Sequence, residues 1–194
     1  MSAHAVLETA RLILRPYSER DIPALLPLIG SLEVARTTLR IPHPYTEQDA
    51  RNFVANVEAE EEARLGITLR IDGRLIGGVG LRLNSPHQHA ELGYWLGVPY
   101  WGRGYATEAA GEMLRYGFES LGLHRIFATC FRHNPVSGRI LKKIGMQYEG
   151  CQREHLSKWG QLLDSELYGI LRREWEAREY NASCHGGPGH NLSQ

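Results

Sequence analysis

Cysteine is scarce in this 194-residue chain, and its three copies at positions 130, 151 and 184 are too scattered for a disulfide framework or a zinc cluster. That scarcity agrees with a reducing compartment. Long apolar runs are missing too: no stretch approaches the roughly 20 residues of a membrane span, and the first residues lack the basic and apolar regions of a signal peptide. The cytoplasm is therefore the expected location. Net charge is also absent, with 22 basic against 22 acidic residues, so the chain carries no electrostatic footprint for nucleic acid. Internal repeats and low-complexity segments do not occur between residues 7 and 175. What remains is an ordinary soluble composition, 42% hydrophobic, long enough for one sizeable core. One domain over residues 1–180 is expected. Beyond Tyr180 the sequence turns polar and glycine-rich, which predicts a flexible tail over 181–194.

Within that domain the hydrophobic period switches repeatedly between two and 3.6. Alternation over Arg11 to Arg15 predicts a strand, and Ser18-Glu19-Arg20-Asp21 predicts a capped helix running through Leu28 and ending near Gly30. Thr46 opens a second helix with Phe53, Val54 and Val57 on its apolar stripe. The acidic stretch from Glu58 to Glu62 reads as a solvated helix face. Ile67 to Ile71 and Arg74 to Leu83 predict a hairpin, with Asp72-Gly73 as a primed turn and with Gly77, Gly78 and Gly80 weakening the second strand. Further on, Glu91 to Val98 predicts a strand, Ala106 to about Ser120 a helix, and His124 to Phe131 another strand. Asn134 opens a helix ended by Gly145. Met146 to Gly150 and Leu163 to Leu171 predict an antiparallel pair.

The segment Tyr100-Trp101-Gly102-Arg103-Gly104-Tyr105-Ala106-Thr107-Glu108 joins strand to helix through a glycine turn. Glycines at 102 and 104 allow close approach of a ligand to the backbone, and the unpaired N–H groups of a first helical turn favour an anion. A Walker loop is excluded because no Gly-Lys-Ser/Thr ending follows. The dinucleotide fingerprint is excluded because Thr107 stands where a third small residue is required.

This pattern resembles the acetyl-CoA pyrophosphate loop of the GNAT superfamily, with Trp101, Gly104 and Ala106 at its first, fourth and sixth positions. Trp101 departs from the usual Arg or Gln but matches the form of the RimJ/RimL branch, which acetylates protein N-termini. Leu7 to Pro16, Asn134 to Ser137 with Leu141 to Met146, Arg153 to Leu156 and Asp164 to Tyr168 resemble further blocks of that branch, in order, from about Leu7 to Trp175. The resemblance implies one α/β domain of GNAT type, a mixed and mostly antiparallel central sheet with splayed strands flanked by helices. It implies acetyl-CoA as cosubstrate and no metal. The expected acceptor is a protein N-terminal α-amine, or alternatively a small amine such as a polyamine, amino acid or aminoglycoside. A monomer or homodimer is the expected assembly, without nucleic-acid or membrane partners. A non-catalytic acyl-CoA sensor is the alternative of another class.

By the same resemblance Arg103, Gly104, Tyr105, Ala106 and Thr107 cradle the pyrophosphate, and Asn134 binds the cofactor. A strand bulge is expected at Leu96-Gly97-Val98, with backbone groups of Leu96 and Val98 bonded to the pantetheine arm. Glu91, on the strand before that bulge, is a candidate base, and reads equally as a structural carboxylate paired with Arg or Tyr. Glu154 and His155 are competing bases that the sequence does not rank. Ser137 is the implied partner of the departing thiolate, although it stands where it could simply cap a helix. His87 and His89 have no third ligand nearby. Tyr94, Trp95, Tyr100 and Trp101 read either as core or as an acceptor platform. The loops Arg40 to Thr46 and Cys151 to Leu163 are expected to shape the acceptor pocket.

Overall fold

A computed structural model describes residues 5–55 and 62–185. In chain order the elements are β1 (Leu7–Glu8), β2 (Leu12–Arg15), α1 (Ile22–Ile29), α2 (Leu32–Thr37), α3 (Glu47–Ala55), β3 (Glu62–Leu69), β4 (Leu75–Asn84) and β5 (His89–Leu96). They continue with α4 (Tyr105–Glu119), β6 (Arg125–Phe131), α5 (Pro135–Lys143), β7 (Gln147–Lys158), β8 (Gln161–Leu171) and α6 (Arg172–His185). The strands form one eight-stranded sheet in the order β1-β2-β3-β4-β5-β6-β8-β7. Only β5 and β6 run parallel; every other neighbouring pair is antiparallel. This is the expected mixed α/β architecture.

Alternation along each strand divides the core between the two faces of the sheet. Ala90, Leu92 and Leu96 of β5 pack with Ile126 and Ala128 of β6 against Ala109, Ala110, Met113, Leu114 and Phe118 of α4. Trp95 turns to the other face, where Tyr17 and Leu75 pack with Ile22 and Leu25 of α1 and Ala50 of α3. Gly78 of β4 belongs to this packing, since a Cβ there would overlap the Tyr17 hydroxyl and the Trp95 indole. Gly78, one of the β4 glycines expected to weaken the strand, instead makes room for these two aromatic side chains.

Several predicted boundaries move. The β3–β4 turn is not a primed turn at Asp72-Gly73: only Gly73 is left-handed, at φ +70°, and Leu69 N–H closes the loop on Arg74 O. The turn with two left-handed residues lies instead at Trp159-Gly160, at φ +49° and +76°, between β7 and β8. Strand β7 runs far past the expected end at Gly150, while β8 starts only two residues before the expected Leu163. The expected loop from Cys151 to Leu163 is mostly the two arms of a hairpin, bulged between Gln152 and Leu156. Short α2 escaped the periodicity because six residues are under two turns. Helix α6 carries the chain through His185, so the boundary drawn after Tyr180 falls inside a helix. Glu62 begins β3, whereas Val57 and Glu58 to Glu61 lie outside the described residues, as does the tail from 186 onward. No helix of the described residues is long and apolar enough to cross a membrane.

Candidate active site

The turn from β5 into α4 is built from backbone. Strand β5 keeps unbroken register with β4 from His89 to Leu96, so the bulge expected at Leu96-Gly97-Val98 is absent. Gly97 N–H still reaches Ile76 O at 2.9 Å, after which Val98–Tyr100 forms a single 3-10 turn. Pro99 explains the exit, since it cannot donate to a ladder. Trp101 folds back, and its indole Nε1 donates to Leu96 O at 2.7 Å. Gly102 and Gly104 are both left-handed, at φ +72° and +79°, and Gly104 is the N-cap of α4. This conformation aims the first N–H groups of a 15-residue helix at one point, an arrangement that suits a pyrophosphate.

Arg11 on the approach to β2 braces that turn. Its guanidinium donates to Arg103 O at 3.1 Å, pairs with Glu108 at 2.6 Å and lies 4.7 Å from the Tyr105 ring centre. Thr9 adds a hydrogen bond to Glu108 at 2.6 Å. Burial raises the Glu108 carboxyl, but the bonds from Thr9 and Arg11 outweigh it and hold the group below the usual carboxylate range.

Beyond the turn the sheet opens. Strands β5 and β6 pair only from His89↔Arg125 to Glu91↔Phe127, while β5 stays bonded to β4 as far as Leu96 and β6 to β8 as far as Phe131. A cleft of about 260 Å³ fills the split. Because Gly97 bonds β4, the alternation of an antiparallel ladder turns the backbone groups of Leu96, Tyr94 and Leu92 toward the cleft. An extended amide-bearing arm, such as pantetheine, fits that free edge.

On the α4 side the cleft ends at Tyr94, Cys130, Ser137 and Leu141. Asn134 caps α5, its Oδ1 accepting from Ser137 N–H at 3.3 Å. The cap is therefore Asn134, and the Ser137 hydroxyl is released for another partner, the Tyr94 hydroxyl at 2.8 Å. Burial pushes the Cys130 thiol up to about 11, so it stays protonated at neutral pH. Burial likewise raises Tyr94 above an ordinary phenol.

Glu91 lies at the opposite mouth. It pairs with Arg40 at 3.1 Å and Arg82 at 3.8 Å, and accepts from Thr129 Oγ1 at 3.2 Å. Next to it Gly93 leaves open space where a side chain would stand. A second cleft of about 510 Å³ adjoins this mouth across β6, β8 and β7, sharing Leu39, Arg40, Glu91, Thr129 and Leu156 with the first. His155 and Gln152 line it. Glu154 does not line either cleft: it sits exposed in the β7 bulge at φ +49°, its N–H donating to Asp164 at 2.9 Å. Among the described residues no group of three or more His, Cys, Asp or Glu side chains is placed to hold a metal.

The acetyltransferase (GNAT) domain family matches residues 11–147, which include the turn, the split and Ser137. The chain belongs to the GNAT acetyltransferase family. It is accordingly an enzyme, an N-acetyltransferase that moves an acyl group from acetyl-CoA to an amine. This GNAT acetyltransferase is 34% identical to the uncharacterised N-acetyltransferase YnaD of Bacillus subtilis, over 87% of this chain and 98% of that one. A GNAT-family acetyltransferase from Bacillus anthracis superposes with a TM-score of 0.80 at 30% identity, over 87% of this chain and 99% of the other. The ribosomal protein uS5-alanine N-acetyltransferase of Escherichia coli is 33% identical over 43% of each chain.

Of the residues singled out from the sequence, Arg103 and Gly104 lie on the glycine turn, Tyr105, Ala106 and Thr107 in the first turn of α4, and Glu91 and Ser137 both line the first cleft. Leu96 offers a carbonyl that Trp101 already engages, and Val98 lies past the strand end. Three residues at or behind the candidate site escaped sequence reasoning: Arg11, which braces the glycine turn, Tyr94 as a partner of Ser137, and Lys158, which lines neither cleft but holds backbone that does. Lys158, at the β7–β8 tip, donates to Thr38 O and, at 3.5 Å, to Leu39 O, and lies 4.8 Å from the Trp159 ring centre. Its bonds span 120 and 119 positions, a separation that no local period reports.

Proposed function

We propose that this enzyme acetylates the α-amine of a protein N-terminus, by direct attack of the amine on the thioester. The observation that carries this reading is the neutralisation of the acceptor mouth. Both carboxylates lining the transfer cleft are paired with arginine: Glu91 with Arg40 and Arg82, and Glu62 with Arg82 at 2.8 Å and Arg64 at 2.9 Å. A carboxylate so paired has its charge already met by its own arginines and is a poor anchor for a polycation. The substrate must then supply its own neutral amine. An α-amine, with a reference pKa of about 7.7–8.0, does so near neutral pH, whereas a lysine-like amine near 10.4 does not. The second cleft offers room for the chain that follows the amine, and the uS5-alanine N-acetyltransferase is a relative with such an acceptor.

In this reading the split between β5 and β6 receives the pantetheine arm and the Gly102–Thr107 turn receives the pyrophosphate. The neutral amine attacks beside Glu91 and loses its proton to solvent as the C–N bond forms, while Ser137 hydrogen-bonds the thiolate as it leaves. Glu154, outside both clefts, has no part in the transfer, and His155 contacts the acceptor chain. Cys130 keeps its proton, which favours direct transfer over an acyl-cysteine.

The test mixes enzyme and acetyl-CoA with N-terminal peptides, polyamines, amino acids and aminoglycosides, following free thiol and acceptor mass. Acetylation of peptide α-amines is expected. Preference for spermidine or an aminoglycoside would overturn the acceptor assignment while leaving acetyl transfer intact.

A further inference from the structure

The Ser137 hydroxyl has one proton, and its direction decides whether the cleft meets a donor or a lone pair. Tyr94 controls that direction. Its hydroxyl lies 2.8 Å from Ser137 Oγ and 3.4 Å from Ser137 O, so it stands over the first turn of α5 with no other oxygen partner among the described residues. If Ser137 donated to Tyr94, its lone pairs would face the sulfur and oppose the negative charge that develops there. If Tyr94 donates, the Ser137 proton is left for the cleft side, which both residues line together with Cys130, whose thiol hydrogen-bonds the same hydroxyl. The Ser137 N–H is already taken by Asn134, so main chain and hydroxyl are fixed by separate partners.

We propose that Tyr94 is a positioning residue for acyl transfer, donating its phenolic hydrogen to Ser137 Oγ and thereby holding the serine proton toward the departing CoA sulfur. The inference rests on the reading of Ser137 as the thiolate's partner. No proton leaves Tyr94: as the thioester C–S bond breaks, the sulfur keeps the electron pair, Ser137 O–H donates to it, and the phenol stays neutral. Burial supports this, because it disfavours a phenolate and keeps Tyr94 a donor across the working pH range. The residue sits on β5, 43 positions before Ser137, and joins it only because the sheet splits between them.

The experiment is a double-mutant cycle on the full chain, reading kcat for thiol release normalised to acetyl-CoA-binding sites. Tyr94→Phe keeps the ring and removes the donor. Its kcat is expected to fall about tenfold with KM for acetyl-CoA within about twofold, the size of one well-placed hydrogen bond. The shape of the pH–rate profile is expected to stay as in the wild type, since Tyr94 does not titrate. Ser137→Ala should fall further, and Tyr94→Phe in the Ser137→Ala background should change kcat by less than about twofold. An equal tenfold loss in that background would overturn the proposal, because Tyr94 would then act independently of the serine. A fall in Ser137→Ala with an unaffected Tyr94→Phe would overturn it too, leaving the serine's role standing. An unaffected Ser137→Ala would remove both. Loss of the alkaline limb in Tyr94→Phe would make Tyr94 a titrating acid and defeat the positioning role.

Discussion

On the side of the first cleft proposed to hold the cofactor, residues 96–110 fold largely upon themselves: Trp101 bonds Leu96, two left-handed glycines turn the chain, and α4 begins at once. On the acceptor side the wall is assembled from distant pieces. The strap from Thr37 to Ile41 is pinned by Lys158 from the far hairpin and by the Arg40–Glu91 pair, 51 positions apart. The first wall depends on backbone conformation and the second on a few long side chains. A ligand that every member of a family shares can be met by backbone, whose geometry tolerates many sequences. A variable acceptor is met by side chains on loops and hairpins, where one substitution reshapes the pocket.

The comparison breaks most sharply at Gly104. Gly104→Val forces a β-branched residue into φ +79° at the helix N-cap and is expected to raise KM for acetyl-CoA roughly 100-fold, with acceptor KM little changed. Equal damage to both constants would mean that the two walls are not separable. A smaller and opposite split is expected at the strap. Lys158→Met keeps the aliphatic stem but drops both carbonyl bonds, so acceptor KM should rise about tenfold while acetyl-CoA KM holds. Peptide and acetyl-CoA titrations of the same preparation measure both.

The smallest effect tests a charged side-chain brace on the first wall. Glu108→Gln loosens Arg11 from the turn and is expected to raise acetyl-CoA KM about threefold and cost about 1 kcal/mol at neutral pH. The pH dependence has a definite sign. A carboxyl held below its unfolded value stabilises fully above that value, near pH 4.3, and loses the contribution as the pH falls through the folded one. Melting curves from pH 7 to pH 3 should therefore show wild type and Glu108→Gln converging in acid. A gap that stays constant would mean that the pair contributes through packing alone.

Strands, helices and the cofactor turn were legible because each is a local matter. Alternation over Leu12–Arg15, the helical stripe of α4 and the glycine spacing at 102 and 104 all report on residues within a few positions of one another. Where local signals were weak, the reading slipped. The bulged stretch from Gln152 to Leu156 interrupts the alternation that would have marked β7, and Trp159 is an unusual occupant of a left-handed turn. At the site, Glu91 and Ser137 could be named from family position, but their surroundings could not.

By itself the sequence determined the fold class, the glycine turn into α4 and the enzyme family, since periodicity, glycine placement and motif order are properties of neighbouring residues. Only the tertiary structure decided that Glu91 is held by Arg40, that Tyr94 meets Ser137, and that Lys158 pins the backbone of Thr38 and Leu39 beside the cleft. Each of those outcomes is a contact across tens of positions, formed where strands part or a hairpin folds over. Such contacts are set by how the elements pack, and packing is a property of the whole chain.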